Sequence, residues 1–366
     1  MIKYIFLFIC VFSNNAFFFK PSFLKSKKTF LMKNFEYAKE YFDFYNEFKH
    51  PVLLNNQQKV DYISFAKSNN DSYSIFEKNY QDIKNTNALL KKQNKTLVLG
   101  INEYMDNVDL DDNLNNLMVD TIQPTAQSPE HYKKIIKEPF QYINTILKSN
   151  IQPFSWNDTG LLSPVKSQGQ CGSCWAFSAT SSLETFMRSH NYSVDHLSEQ
   201  ELVDCSSENS GCNGGLMHLA FEYIMKRKGL ASDSDYPYHA NHSLECLTNL
   251  SRVEGSNMTK YSFVIPESIV DMKYSVHQNP VAIAIDANNI FFRFYRSGVI
   301  DVPTNISKAL NHAVLLVGYD FDDEGMYWII QNSWSKKWGE NGYCKIRVQP
   351  KEGTLLCQQY GVYPTE

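Results

Sequence analysis

At 366 residues the chain exceeds one average domain, so a core domain with appended segments is expected. With 43% apolar and 14% aromatic residues it can bury a sizeable core, which excludes a disordered chain. The net charge of −4 comes without a basic stripe, which excludes an electrostatic nucleic-acid binder.

The N-terminus reads as an export signal. Lys3 gives a weak positive flank, Tyr4 to Phe12 is an apolar run, and Asn14-Asn15-Ala16 interrupts it, with Ala16 as the cleavage position. The alternative is a membrane anchor, but nine apolar residues fall short of a hydrocarbon core of roughly 30 Å. A signal peptide over 1–16 is therefore expected. Cysteine usage fits that route: Cys10 would leave with the signal, and the other seven of eight cysteines lie beyond residue 170. Seven is odd, so an oxidising compartment predicts three disulfides and one free thiol, and that thiol needs a reason. Eight Asn-x-Ser/Thr sequons, at Asn70, Asn94, Asn157, Asn191, Asn241, Asn249, Asn257 and Asn305, are compatible with secretion.

Residues 17–149 hold no cysteine and read as helical. Tyr73, Phe76, Tyr80, Ile83 and Leu90 recur at three-, four- and seven-residue steps and form one apolar stripe. Asp106 to Asn116 is acidic with little to bury, and Thr121 to Pro129 reads as a linker. His131 to Leu147 is a second helical stretch. From Ile151 cysteines, tryptophans and Gly-rich turns arrive together, which places the main boundary near residue 150.

Beyond that boundary Ser173 to His190 reads as a long helix, with small residues suited to close packing. Leu197 to Asp204 is a second helix capped by Ser198. Leu216 to Lys226 is a third, started by the Gly214-Gly215 turn. After about residue 260 the pattern is strand-like: Val281 to Ile285, Ala313 to Tyr319, Met326 to Gln331 and Gly342 to Val348. A helical half preceding a sheet-rich half gives an α+β fold whose natural ligand site is the cleft between them.

The chemistry is carried by Gln168-Gly-Gln-Cys171-Gly172-Ser173-Cys174-Trp175. Cys174 stands in the first turn of the predicted helix, where the macrodipole and unpaired N–H groups favour a thiolate. His312, in Asn311-His312-Ala-Val-Leu, follows it by 138 residues, and Asn332, in Gln331-Asn332-Ser-Trp334, by 158. With Gly211-Cys212-Asn-Gly-Gly215 and Trp338-Gly-Glu-Asn-Gly-Tyr343, these pieces resemble the papain-like peptidases, specifically the cathepsin L-like ones, over residues 150–366. Finer details, Gly215-Leu-Met-His-x-Ala-Phe-Glu222 and Ala284-Ile-Asp-Ala287 among them, are similar to the viral cathepsins of insect viruses. Lysosomal and parasite relatives are the alternatives.

The resemblance implies a two-lobed fold, a helical lobe against an antiparallel barrel-like lobe, with the cleft between. It implies a cysteine endopeptidase in which Cys174 is the nucleophile and His312 takes its proton. Asn332 would then hold the imidazole's tautomer, with Trp334 shielding that bond. Gln168, with the Cys174 N–H, would bind the oxyanion. It implies no metal and no cofactor, protein or peptide substrates, and a monomer without a membrane anchor. The compartment would be lysosome-like or extracellular, in a virus-infected cell if the viral likeness holds. Taken alone, Cys171 and Cys174 could join Cys205 and Cys212 in a zinc site or form a redox pair, but the secreted context and the missing βαβ pattern argue against both. By resemblance Cys171 pairs with Cys212 and Cys205 with Cys246, leaving Cys174 free. The family's usual third bridge departs here, because Pro303 to Leu310 holds no cysteine; a rearranged Cys344–Cys357 bridge is expected.

Residues 17–149 resemble the family's inhibitory propeptide. Phe76, Asn79, Ile83 and Asn87 match the second half of its helical motif, whereas Ser68 and Ser72 replace a usual Glu and Arg. Gly100, Asn102, Tyr104 and Asp106 match the following motif. Such a segment would lie along the cleft in reverse and leave a mature enzyme starting near Asn150 or Ile151; the plain alternative is an export spacer. By the same resemblance Gly215, with Gly172 and Gly214 beside it, would bind an extended substrate strand. Leu216, Met217, Ala284, Leu310, Ala313 and Val362 would line the pocket for the residue two before the scissile bond (P2), all apolar and so favouring Leu, Phe or Val. Two other function classes compete: a catalytically silent relative that only binds, and an inhibitor acting through the propeptide. All four catalytic positions are filled, which speaks against the first.

Overall fold

The computed structural model describes residues 36–49, 62–106, 152–243 and 245–366. The expected signal peptide, linker, second helical stretch and maturation point lie outside them. The chain divides into two compact units, 1–73 and 74–366. In the first, α1 (36–48) and α2 (Tyr62–Ser68) share an aromatic cluster. Tyr41 meets Phe44, Phe65 and Tyr73 at ring distances of 6.1, 5.9 and 5.4 Å, and Phe42 meets Tyr62 and Phe65 at 5.4 and 5.2 Å. Rings spaced three and four apart on one helix face make such a cluster possible.

The division falls inside α3 (Asn70–Lys92). Of the stripe read from sequence, Phe76, Ile83 and Leu90 are the buried members, seven residues apart. β1 (Val98–Leu99) follows, then β2 (Phe154–Ser155). Three helices build the helical lobe: α4 (Cys174–Ser189), α5 (Glu199–Cys205) and α6 (Met217–Arg227). Ser198 caps α5 as expected, its hydroxyl accepting from Glu201 N at 2.9 Å.

The second lobe opens with β3 (Lys260–Phe263) and α7 (Ile269–Gln278). Next come β4 (Val281–Ile285), α8 (Ile290–Arg293), β5 (Tyr295–Ser297) and β6 (Val299–Ile300). β7 (His312–Asp322), β8 (Gly325–Gln331), β9 (Tyr343–Arg347) and β10 (Gly361–Thr365) complete it. The sheet order is β3-β10-β4-β7-β8-β9-β6, with β2 added on β7. All pairs are antiparallel except β6 with β9. β4 is buried throughout and β7 over its first eight residues, so the long β7 is the core strand.

Close approach of α4 to this sheet sets the site. Ser178 Oγ donates to the Val314 carbonyl at 2.8 Å and Ser182 Oγ to that of Pro280 at 2.7 Å. Small residues let helix and strand come this near, and buried hydroxyls find backbone acceptors. The start of α4 thereby lies beside the start of β7.

Two of the three expected disulfides are formed, Cys171–Cys212 and Cys205–Cys246, which removes the zinc and redox alternatives. The Cys344–Cys357 bridge is not: both are buried free thiols. Cys344 stands opposite Ile330 in β9, and Cys357 ends the short turn Thr354–Leu356. Burial pushes Cys344 well above the usual thiol range and Cys357 up to about 12. Disulfide exchange needs a thiolate, and burial withholds it from both. Alkylation of the unreduced, unfolded protein is expected to modify Cys174, Cys344 and Cys357; recovery of Cys344 and Cys357 joined in one peptide pair would overturn this.

Candidate active site

Cys174 opens α4 and is 1% exposed. Its Sγ accepts from Ala313 N at 3.3 Å, which brings it against the first residues of β7. His312 opens β7 and is fully buried; its Nε2 meets Asn332 Oδ1 at 2.8 Å. The other ring nitrogen, Nδ1, has no hydrogen-bond partner among the described residues. Trp334 covers the imidazole at a ring distance of 4.8 Å, and Phe292 flanks it at 5.8 Å. Burial pushes the Cys174 thiol up to about 11, against hydrogen bonds from the N–H groups of Ala313, Trp175 and Cys174 itself. Burial likewise lowers His312 to about 4, opposed by Asn332.

Gln168 lies in the turn entering α4. Its Nε2 donates to the Cys171 carbonyl at 2.9 Å, which leaves the second amide hydrogen for another acceptor. Its Oε1 accepts from Ser333 Oγ at 2.6 Å, and Ser333 N donates to Asn332 Oδ1 at 2.8 Å. Ser333 therefore ties Gln168 to Asn332, a link the sequence reading missed. Beneath them Lys166 Nζ reaches Glu184 Oε1 at 2.7 Å and Glu199 Oε1 at 2.6 Å, with both carboxylates essentially enclosed. Burial alone would lift Glu184, but the charge of Lys166 together with hydrogen bonds from His196, Lys166 and Ser163 outweighs it and lowers Glu184 to about 2. Burial raises Glu199, the second claimant on one ammonium.

The remaining candidates border the same region. Gly214 has φ +115°, and a Cβ on Gly215 would meet Asn209 Oδ1 at 2.4 Å, so this turn admits little but glycine. Gly172 N donates to the Cys212 carbonyl at 2.8 Å. Met217 is buried at the start of α6, next to half-buried Leu216. Ala284 pairs with Ala313 across β4 and β7, while Leu310 is half-buried just before β7. Val362 is buried but pairs with Ala282. The residue bonded to Ala284, whose N donates to its carbonyl at 3.2 Å, is Tyr360. The Tyr360 hydroxyl meets His218 Nδ1 at 2.9 Å, so this ring runs from β4 to the first turn of α6. A lone tyrosine before a strand gives no sequence signal, and it adds a polar atom to a wall expected to be apolar.

Residues 74–106 are built onto the sheet lobe. β1 pairs antiparallel with β5, and Gly100 N donates to the Phe294 carbonyl at 2.8 Å. Asn87 clips Leu99 through both its N–H and C=O at 2.8 Å, Asn79 reaches the Met105 carbonyl at 2.8 Å, and Asn102 that of Arg293 at 2.7 Å. Tyr104 packs on Trp334 at 4.7 Å. Lys95 pairs with Asp301 at 2.9 Å and Glu324 at 3.3 Å. Gly298 has φ +88°, and a Cβ there would strike the Thr96 carbonyl at 2.1 Å, so the docking strand requires it. Of the matched motif residues, Gly100 and Asn102 bond to the sheet lobe and Tyr104 packs on it, while Asn79 and Asn87 brace the segment internally.

Comparison with known proteins agrees with this geometry. Residues 151–365 match the papain family of cysteine proteases. The chain is 34% identical over 303 residues to the viral cathepsin of Adoxophyes honmai nucleopolyhedrovirus, covering 81% of this chain and 84% of that protein. It is 35% identical to cysteine proteinase 3 of Dictyostelium discoideum, covering 86% and 93%. The structure is similar to procathepsin L2 from the larval midgut of Tenebrio molitor, with a TM-score of 0.72 at 27% identity, covering 90% of this chain and all of that one.

Proposed function

The chain belongs to the papain family of cysteine proteases and is a cysteine endopeptidase zymogen, and on that premise we propose that Cys174 is its nucleophile. The observation that carries the assignment is the bond of His312 Nε2 to Asn332 Oδ1, which leaves Nδ1 without a hydrogen-bond partner among the described residues, on the residue next to Ala313, whose N–H holds the Cys174 sulfur. The thiol proton passes to His312 Nδ1 and the thiolate attacks the scissile carbonyl carbon. The oxyanion is held by the Cys174 N–H and the second Gln168 amide hydrogen. The carbon–nitrogen bond then breaks, His312 returns the proton to the leaving amine, and water hydrolyses the thioester with His312 as base.

Residues 17–149 form the inhibitory propeptide and 150–366 the mature enzyme. Burial raises the Cys174 thiol and lowers the His312 imidazole, both toward their neutral forms, and exposure of the cleft to water relieves that cost. Residues 1–16 direct export to a lysosome-like compartment or the exterior. All eight sequon asparagines are exposed, as glycan attachment requires. The P2 pocket, lined by Leu216, Met217, Ala284, Leu310 and Ala313 and closed by Tyr360, takes Leu or Val and gives no ion pair to Arg. The test uses acid-activated enzyme and two peptidyl epoxides that differ only at P2. The Leu compound should modify Cys174 alone, at least about tenfold faster than the Arg compound, since each 1.4 kcal/mol is tenfold. Modification of another residue, or faster reaction with Arg, would sink the proposal.

A further inference from the structure

Tyr238 takes part in neither the proton transfer nor the disulfides, yet its hydroxyl sits on both arms of the oxyanion site. It donates to the Gln168 carbonyl at 2.7 Å and lies 2.6 Å from Ser173 Oγ. A phenol has one proton, and here it is spent on the carbonyl. With that proton on the carbonyl, Ser173 Oγ is the donor to the tyrosine oxygen, in preference to its longer 3.5 Å contact with the Cys171 carbonyl. Gln168 carries one proposed oxyanion donor on its side chain, and Ser173 immediately precedes Cys174, whose N–H is the other.

A second observation concerns Ser173 itself. It is the N-cap residue of α4, fully buried, and a serine there ordinarily turns its hydroxyl onto the N–H groups of the first turn. This one makes no such bond: its backbone stands at φ −98°, ψ 15°, outside the extended range of a capping residue, and its hydroxyl meets Tyr238 instead. The ring is fixed in turn: it meets Phe177 edge-on at 4.8 Å, and Tyr238 N donates to Asp233 Oδ1 at 3.2 Å. Burial pushes the phenol above its ordinary range, so it stays a donor at any working pH.

We infer that Tyr238 is a positioning residue that sets the spacing of the two oxyanion donors. The inference rests on the oxyanion reading of Gln168 given above. It is tested on the activated enzyme with Tyr238→Phe, Ser173→Ala and the double variant, against Gln168→Ala. Tyr238→Phe should lower kcat about tenfold, less than loss of a whole donor, with KM within about twofold. Binding of a peptide aldehyde, whose hemithioacetal oxygen uses the same site, should weaken by a similar factor. Alkylation of Cys174 by iodoacetamide, which develops no oxyanion there, should keep its rate within about twofold. Ser173→Ala should share the defect, and the double variant should be no worse than Tyr238→Phe, since both break one chain. Unchanged kcat and aldehyde binding in Tyr238→Phe, with Gln168→Ala impaired, would overturn the inference alone. Full activity in Gln168→Ala would overturn the oxyanion reading beneath it. Equal losses in alkylation and aldehyde binding would assign Tyr238 a general structural role and also overturn the inference.

Discussion

Cys174→Ala is expected to lower kcat/KM by about four to six orders of magnitude while peptide binding survives. Removing a nucleophile abolishes the covalent route and leaves only what the oxyanion donors and the cleft contribute over water. The structure favours an effect at the severe end. The thiol is fully enclosed, with its sulfur held by Ala313 N, and His312 Nδ1 has no other partner among the described residues. The sulfur three residues before it could not take over, because Cys171 is bridged to Cys212. Activity is measured on a Leu-at-P2 peptide after identical acid treatment. Residual turnover above about a thousandth of wild type would remove Cys174 from the nucleophile role. Unaltered peptide binding with no turnover in the parent enzyme would instead favour a silent binding protein.

Lys166→Met is expected to destabilise the protein by about 3–5 kcal/mol near neutral pH, the cost of stranding a buried charge when its partner is removed. Lys166 meets Glu184 and Glu199 at 2.7 and 2.6 Å, where the two carboxylates are 0 and 3% exposed. The remaining support on Glu184 comes from the Ser163 hydroxyl, which donates to Oε2, from Leu197 N at 2.8 Å, and from Arg188 and His196, each 3.8 Å from Oε2. The pH dependence follows from Glu184, whose value in the fold is about 2 against an ordinary 4.5. A depressed carboxyl pKa contributes stability that is present above about 4.5 and lost as pH falls toward 2. The difference between variant and parent should therefore shrink as pH falls from 7 to 3. Thermal melts in a Cys174→Ala background, which prevents self-digestion, report it; a loss below about 1 kcal/mol at pH 7, or a gap that widens in acid, would refute the account.

The legible part of this site was sequential. Gln168, Cys174, His312 and Asn332 stand in distinctive short runs, and the helix starting at Cys174 follows from small and apolar spacing. α4, α5, α6 and β4 lie within two residues of where periodicity puts them. β10 was not read, because Pro364 interrupts a strand pattern, though pairing with Tyr261 of β3 accommodates it. Ser333, Tyr238 and Tyr360 act through single hydroxyls, which carry no period and no spacing. The third disulfide failed for a related reason: counting cysteines fixes parity, whereas pairing depends on where Cys344 and Cys357 sit in the core.

The fastening of residues 74–106 has a kinetic consequence. The β1–β5 pairing, the Gly100 and Asn102 hydrogen bonds and the Lys95 ion pair hold this segment, contacts that are modest one by one and partly open to water. They suffice while Asp106 and Gln152 belong to one covalent chain, since tethering gives the inhibitor an effective concentration on the order of millimolar. One cut anywhere between those residues converts the same contacts into an ordinary bimolecular complex. Dilution then releases the segment from the sheet lobe with no change in any contact, so such a cut works as a one-way valve.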